Sequence, residues 1–120
     1  MFKVIFLAAQ LAVAPTSVDD AKVMADANEA SLSKDLTSQL LQSQGNALGL
    51  AVGACARPKM DLATFTVVLS LNADGSVAHS WRKGETPLAK CVHAALDASG
   101  LAGQWPQPFY TSIVLSLREP

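Results

Sequence analysis

The chain has 120 residues, a length that favours a single domain, and half of them are hydrophobic, which is enough for a core. Its formal net charge is −1, and its only basic cluster is Arg82-Lys83. Nucleic-acid binding needs a basic patch and is therefore excluded. Beyond the N-terminal run, no stretch approaches the ~20 apolar residues of a membrane span.

Residues 1–14 have the pattern of a signal peptide. Lys3 precedes an apolar run from Val4 to Ala14, which suits a signal-peptide core and is short for a spanning helix. Ala12-Val13-Ala14 is a small-x-small cleavage pattern, and Pro15 would hinder a cut directly after it. The pattern predicts cleavage near residues 14–18 and a periplasmic or secreted protein. The alternatives are an uncleaved membrane anchor and a buried first element of the domain.

Residues 15–62 are predicted to form a helical arm. Ser17 can cap a first helix whose first turn carries Asp19 and Asp20. A second helix follows, capped by Ser31 or Ser33 and expected to stop at Gly45-Asn46. Its apolar stripe recurs every four residues at Leu32, Leu36 and Leu40. This stripe predicts packing on a sheet, with a partner-binding amphipathic helix as the alternative.

Residues 47–56 are small and apolar, and Arg57-Pro58 ends them, because the residue before proline disfavours helical geometry. The glycines in this segment weaken both a helix and a strand. Another helical turn and a short buried strand therefore both remain open.

Residues 63–120 are predicted to form a sheet with one helix. Strand 64–71 alternates apolar and polar residues, and Asp74-Gly75 signals a hairpin back through residues 76–81. Thr86-Pro87 starts a helix that ends at Gly100, and the last strand is 111–117. Alternation puts Val77, His79 and Trp81 on one face of the returning strand and Ala78, Ser80 and Arg82 on the other.

Residues 64–117 resemble the TonB C-terminal domain superfamily. The resemblance lies in a hydrophobic strand, an Asn-x-Asp-Gly-x-Val turn, a Pro-Leu-x-x-Cys-Val helix, Trp-Pro-x-Pro and a final strand. It implies an α+β fold, a small antiparallel sheet of about three strands with helices packed on one face. It also implies binding of periplasmic protein segments, often by strand pairing at the sheet edge. The arm contains only Pro15 and Pro58, so the proline-rich spacer of TonB-type energy transducers is missing.

The two cysteines, Cys55 and Cys91, predict a disulfide if the chain is exported, with two buried thiols as the alternative. The bond would tie the arm to the helix of residues 86–100. Chain entropy assigns a loop of this length roughly 3–4 kcal/mol of stabilisation.

No enzyme or cofactor signature is present. Metal ligation would have to combine Cys55, Cys91, His79 and His93, whose spacing matches no zinc template, and the haem motif C-x-x-C-H is missing. A nucleophile paired with one of the histidines lacks a nucleophile elbow. We therefore expect no catalytic site, metal or cofactor. Trp81, Trp105, Phe109 and Tyr110 suit either a peptide groove or the core.

These patterns favour an exported, non-catalytic module that binds a protein or peptide. An envelope protein is one possible partner. A secreted enzyme inhibitor or immunity-type protein is the alternative, and a small hydrolase is a third hypothesis. The predicted binding edge is the last strand, with Ser112, Val114 and Ser116 beside an added peptide or beside a second copy in a homodimer.

Overall fold

A computed structural model describes residues 14–117. The predicted signal peptide, apart from Ala14, lies outside the described residues. The secondary structure elements are, in chain order, α1 (Val18–Ala30), α2 (Lys34–Cys55), β1 (Phe65–Leu71), β2 (Val77–Lys83), α3 (Pro87–Ser99) and β3 (Phe109–Leu115). The predicted α+β class with a three-stranded antiparallel sheet is confirmed. Within the described residues, no helix has both the length and the apolarity needed to cross a membrane.

The sheet has the order β2-β1-β3, so β1 is central and the other two strands are edges. Val67, Val68 and Leu69 of β1 are all fully buried. Because successive side chains of a strand point to opposite faces, their burial means that both faces of the sheet are covered.

Two layers of helix cover the two faces. Helices α2 and α3 pack on the face of Val67 and Leu69. Helix α1 packs on the opposite face, where Ala21 and Ala25 contact Val68. The prediction placed the helices on one face, and α1 departs from it. The reason is that Val68, Trp81 and Tyr110 form an apolar band across the second face, and the two small alanines let the helix approach it closely.

Helix α2 is longer than predicted. Ser33, one of the two predicted caps, accepts a hydrogen bond from the Leu36 amide. The predicted stop at Gly45-Asn46 is wrong. The helix continues to Cys55, which assigns residues 47–56 to a helix. Leu40, Ala51 and Cys55 are all buried on one side of it, so packing outweighs the low helix propensity of the glycines. These glycines lie on the solvent side at Gly45, Gly49 and Gly53.

The turn between β1 and β2 docks on the end of α3. Gly75 has φ +90°, and a Cβ there would collide with the Leu101 carbonyl. The Leu101 amide donates to the Gly75 carbonyl at 2.9 Å. Within the turn, the Asp74 carboxylate accepts hydrogen bonds from the Ser76 hydroxyl and the Ser76 amide, which hold the pKa of Asp74 below its usual value. Asp74-Gly75 therefore fixes both the hairpin and its contact with the helix.

A register shift at the start of β2 changes which side chains face the core. Leu71 pairs with Val77 and Ser70 with His79, so Ala78 is an extra residue, as in a β-bulge. Val77 consequently packs with the α2–α3 core, whereas Trp81 packs beside α1. The prediction that Val77, His79 and Trp81 share one face is wrong for Val77, since simple alternation does not anticipate the extra residue.

Helix α3 follows its sequence signals. Thr86 accepts a hydrogen bond from the Ala89 amide, Pro87 is the first helical residue, and Gly100 ends the helix with φ +61°. Cys91 lies on the exposed side of α3 and faces the end of α2.

Candidate functional site

The predicted edge, β3, is closed over part of its length by the helical arm. Three side chains bind its outward backbone groups. The Tyr110 amide donates to Asn28 Oδ1 at 2.7 Å, and the Ser112 amide donates to Glu29 Oε2 at 2.9 Å. Gln44 Nε2 donates to the Ser112 carbonyl at 3.3 Å. Asn28 and Glu29 lie in the last turn of α1 and Gln44 lies in α2, so the two helices straddle this edge.

The predicted binding residues of β3 differ in their surroundings. Ser112 has both outward backbone groups bonded to the arm, as described above. Val114 is 53% exposed. Ser116 follows the end of the strand, and its hydroxyl lies 2.8 Å from that of Thr64. A peptide pairing with β3 therefore meets an open edge only from Val114 onward, unless the arm moves.

The outer side of β2 can be inferred from the ladder. The amides of Tyr110 and Ser112 point away from β1, so the odd-numbered residues of β3 are the ones that bond to β1. Their partners in β1 are also odd-numbered. Because the bonding direction alternates along a strand, the even-numbered residues of β1 bond to β2 on its other side. These even-numbered residues pair with odd-numbered residues of β2, such as Trp81 opposite Val68. Trp81 therefore directs its amide and carbonyl inward, to β1. The amides and carbonyls of Ser80 and Arg82 point outward.

No hydrogen bond joins the amides of Ser80 and Arg82 to any of residues 14–117. Of the two edges in the described part of the chain, β2 thus has the longer run of backbone groups free for pairing. Within residues 14–117, no helix side chain takes the place of a neighbouring strand at β2, as Asn28, Glu29 and Gln44 do at β3.

A cleft of about 300 Å³ lies beside this edge. Its walls are Trp81 and Tyr110, whose rings stack with centroids 5.8 Å apart, together with His79, Ser80 and the segment Ala14-Pro15. The other two aromatic residues considered from the sequence, Trp105 and Phe109, stack with each other in the core. The structure thus divides the aromatic residues into a core pair and a surface pair.

A polar cluster on the other face of β2 holds this strand against α3. His93 Nε2 lies 2.7 Å from the Ser80 hydroxyl, and His93 Nδ1 lies 2.7 Å from Arg82 Nη1. A guanidinium can only donate, so Nδ1 accepts and the proton of the neutral ring is on Nε2. His93 therefore donates to Ser80. Arg82 also donates to the Gly84 carbonyl and to Glu85, so its guanidinium is bonded on three sides.

This arrangement is the reverse of a serine nucleophile and its base, in which the histidine nitrogen must accept the hydroxyl proton. Asp97 lies 3.5 Å from the same Nε2, rather than at Nδ1 where a triad carboxylate orients the ring. The geometry therefore supports a positioning role: the cluster fixes the strand whose outer edge is open.

The predicted disulfide is confirmed. Cys55, the last residue of α2, is bonded to Cys91 in α3, with Cα atoms 5.7 Å apart. Both thiols considered as metal ligands are therefore used in the bond. His79 and His93 lie on opposite sides of the sheet. Between residues 14 and 117, no group of three metal-binding side chains is arranged around a common point.

Sequence reasoning missed the three residues that close β3. Asn28, Glu29 and Gln44 lie more than 65 residues from the groups that they bind, and no local pattern marks such a contact.

Comparison with known proteins gives no assignment: no family model, no curated protein and no solved structure matches this chain.

Proposed function

We propose that this protein is an exported, non-catalytic module that binds an extended segment of another protein along the outer edge of β2. The observation that carries the proposal is the contrast between the edges. The outward amides of Tyr110 and Ser112 in β3 are bonded to the arm, whereas those of Ser80 and Arg82 in β2 have no acceptor among residues 14–117.

An open edge of this kind is a ready template for strand addition. A partner segment gains main-chain hydrogen bonds at Ser80 and Arg82, and its alternate side chains meet the two faces of the sheet. The backbone of β2 is held in place for this pairing by the bonds of His93 and Arg82 across to α3 and Gly84. Because this strand is already ordered, binding a partner costs little conformational entropy on the side of the sheet, which favours affinity.

Two further points support the proposal. A disulfide between Cys55 and Cys91 is typical of proteins in oxidising compartments, in agreement with the predicted signal peptide. The resemblance of residues 64–117 to the TonB C-terminal domain superfamily implies recognition of periplasmic protein segments by strand pairing. For this chain we propose the same kind of recognition, moved to the edge that the arm leaves open.

Proline substitution tests the edge. Ser80→Pro removes an outward N–H without breaking a bond to β1, and proline is tolerated at an edge position of this kind. Ser80→Ala is the matched control, since both variants lose the bond to His93 and only the proline variant loses the amide. Partner capture from an envelope extract by the mature protein is quantified for both.

We expect Ser80→Pro to weaken capture at least about tenfold relative to Ser80→Ala. The corresponding pair on β3, Val114→Pro and Val114→Ala, should capture equally. Circular dichroism checks that all four fold. Equal capture by the two Ser80 variants contradicts the proposal, and loss of capture by Val114→Pro alone returns the site to β3.

The same variants test pairing between two copies of the chain. If the parent protein is a dimer by analytical ultracentrifugation and only Ser80→Pro makes it monomeric, β2 pairs with a second copy. Capture of one enzyme whose activity is lost in the complex supports the inhibitor alternative instead.

A further inference from the structure

The cleft lies beside β2, where a paired segment would place one of its side chains, so the inference below rests on the proposed function. In an antiparallel pairing, the partner residues opposite Ser80 and Arg82 exchange hydrogen bonds with them. The residue between those two lies opposite Trp81. Its side chain projects to the same face as Trp81, where the cleft lies.

The residue opposite Trp81 has an unusual backbone requirement. Trp81 bonds inward to β1, so it offers no outward amide or carbonyl. The partner residue opposite it therefore points its own N–H away from β2. Proline, which has no N–H, fits this position without the loss of a hydrogen bond to the sheet.

The walls of the cleft suit a pyrrolidine ring. Trp81 and Tyr110 present stacked aromatic rings, and His79 lies next to Trp81 with ring centroids 6.4 Å apart. Pro15 forms part of the wall. Among residues 14–117, the only titratable side chains in the lining are those of His79 and Tyr110, and no carboxylate or lysine takes part. A charged side chain would lose hydration there without a partner, and a proline would not.

We propose that this cleft is a proline subsite, and that the segment bound at β2 carries a proline opposite Trp81. Aromatic-lined grooves recognise proline in other peptide-binding proteins because the ring is rigid and loses little entropy on binding. The volume of about 300 Å³ is at the lower limit of ligand pockets, which agrees with a site for one or two side chains rather than for a cofactor.

The test uses two short synthetic peptides of alternating threonine and valine, one with a central proline and the other with alanine in its place. Binding to the full mature chain is followed by NMR through the backbone amide of Arg82, which every variant retains, and in the parent also through the indole N–H of Trp81. The indole of Trp105, which is buried and donates to the Leu101 carbonyl at 3.0 Å, is the internal reference. We expect the proline peptide to bind about tenfold more tightly than the alanine peptide.

Two variants locate the preference. Trp81→Leu keeps an apolar side chain against Val68 and Ala25 but removes the ring, and His79→Ala changes an exposed residue of the cleft. Trp81→Leu should bind the two peptides equally, and His79→Ala should reduce the preference. Ser80→Pro should lose both peptides.

The outcomes separate the two proposals. If Ser80→Pro loses both peptides while the parent protein binds them equally, the edge site stands and the proline subsite is overturned. If the proline preference survives in Trp81→Leu, the subsite is also overturned. If no saturable shift of the Trp81 signal appears with the proline peptide up to millimolar concentration, the subsite is again overturned, whereas the Ser80 pair in the capture experiment still decides the edge.

Discussion

The two edges of this sheet are strands of equal length, seven residues each, paired antiparallel to the same central strand. They differ in what lies outside them. Asn28, Glu29 and Gln44 bind the outward groups of β3, whereas among residues 14–117 no side chain binds the outward amides of β2, which lies beside the cleft. An edge of this sheet is therefore opened or closed by residues distant in sequence, and not by the composition of the strand itself.

Closure of β3 by side chains is a form of edge protection. An uncovered edge invites pairing with other chains, and proteins commonly cover it with a helix. Here a carboxylate and two amides act in the place of a fourth strand. Hydrogen bonds to a charged acceptor contribute more than neutral ones, about 1.5–3 kcal/mol. Glu29, which accepts from both Thr111 and Ser112, is therefore the strongest part of this cover.

Among the changes that test the difference between the two edges, reduction of the disulfide should have the largest effect on stability. Cys55–Cys91 ties the arm to α3 across 36 residues of sequence, so reduction should lower the free energy of unfolding by about 3–4 kcal/mol. Because the arm also covers β3, hydrogen exchange at Ser112 should accelerate more than at Trp81. Denaturant unfolding and exchange mass spectrometry, with and without reductant, measure both. Equal acceleration at the two amides would show that the arm does not open separately.

Removal of the Glu29 carboxylate should have the second largest effect on stability. Glu29→Ala should cost about 2 kcal/mol, since the amide of Ser112 loses a charged acceptor while the buried Thr111 hydroxyl keeps its contact with Gln44. Glu29→Gln retains an acceptor and should cost less. Chemical denaturation gives the stabilities. The same variants should leave partner capture through β2 unchanged, and a loss of capture would link binding to the closed edge.

A substitution in α2 should have a smaller effect and should raise stability instead of lowering it. Gly49 lies on the exposed side of the helix, and no atom lies within 4 Å of the position of an added Cβ. Gly49→Ala should raise stability by about 0.5–1 kcal/mol. Gln42→Gly, on the same helix, should lose a comparable amount. Slower exchange at Ser112 than in the parent would accompany the gain, and no change in melting temperature would contradict it.

The smallest effect concerns the turn that joins β1 to β2. The hydrogen bonds from Ser76 lower the pKa of Asp74 from its ordinary 3.8, so the ionised form is favoured in the folded state. This contribution is present above pH 3.8 and is lost as the pH falls further through the folded pKa. Asp74→Asn should remove that part of the acid dependence. Unfolding curves from pH 5 to pH 2 for both proteins test it, and identical slopes would argue against it.

Local signals were sufficient for much of the fold. The caps Ser17 and Thr86, the turn at Asp74-Gly75 and the alternation in β1 act over a few residues, and each was found where the sequence placed it. Packing decided the rest. Helix α2 passes through Gly45 because its buried side continues to Cys55, and local propensity cannot report that side.

The candidate site was harder to predict for the same reason. Ser112 was predicted to lie on an open edge, but its backbone is bound by Glu29 and Gln44. The openness of Ser80 depends on strand order and on the extra residue at Ala78, neither of which a pattern of alternating residues contains. The role of β2 in binding, like that of Val114 and Ser116, stays a prediction.

The contact between Glu29 and Ser112 also bears on how the chain is made. These residues are 83 positions apart, so α1 and α2 leave the ribosome well before the strand that they enclose has been synthesised. Until then, the small apolar side of α1, with Ala21 and Ala25, has no complete sheet to cover. Contacts of such separation also slow folding, because the chain between them must be ordered first. The apolar side of α1 therefore stays without its full cover until β3 has been synthesised, the stage at which exposed apolar surface makes a chain prone to aggregate.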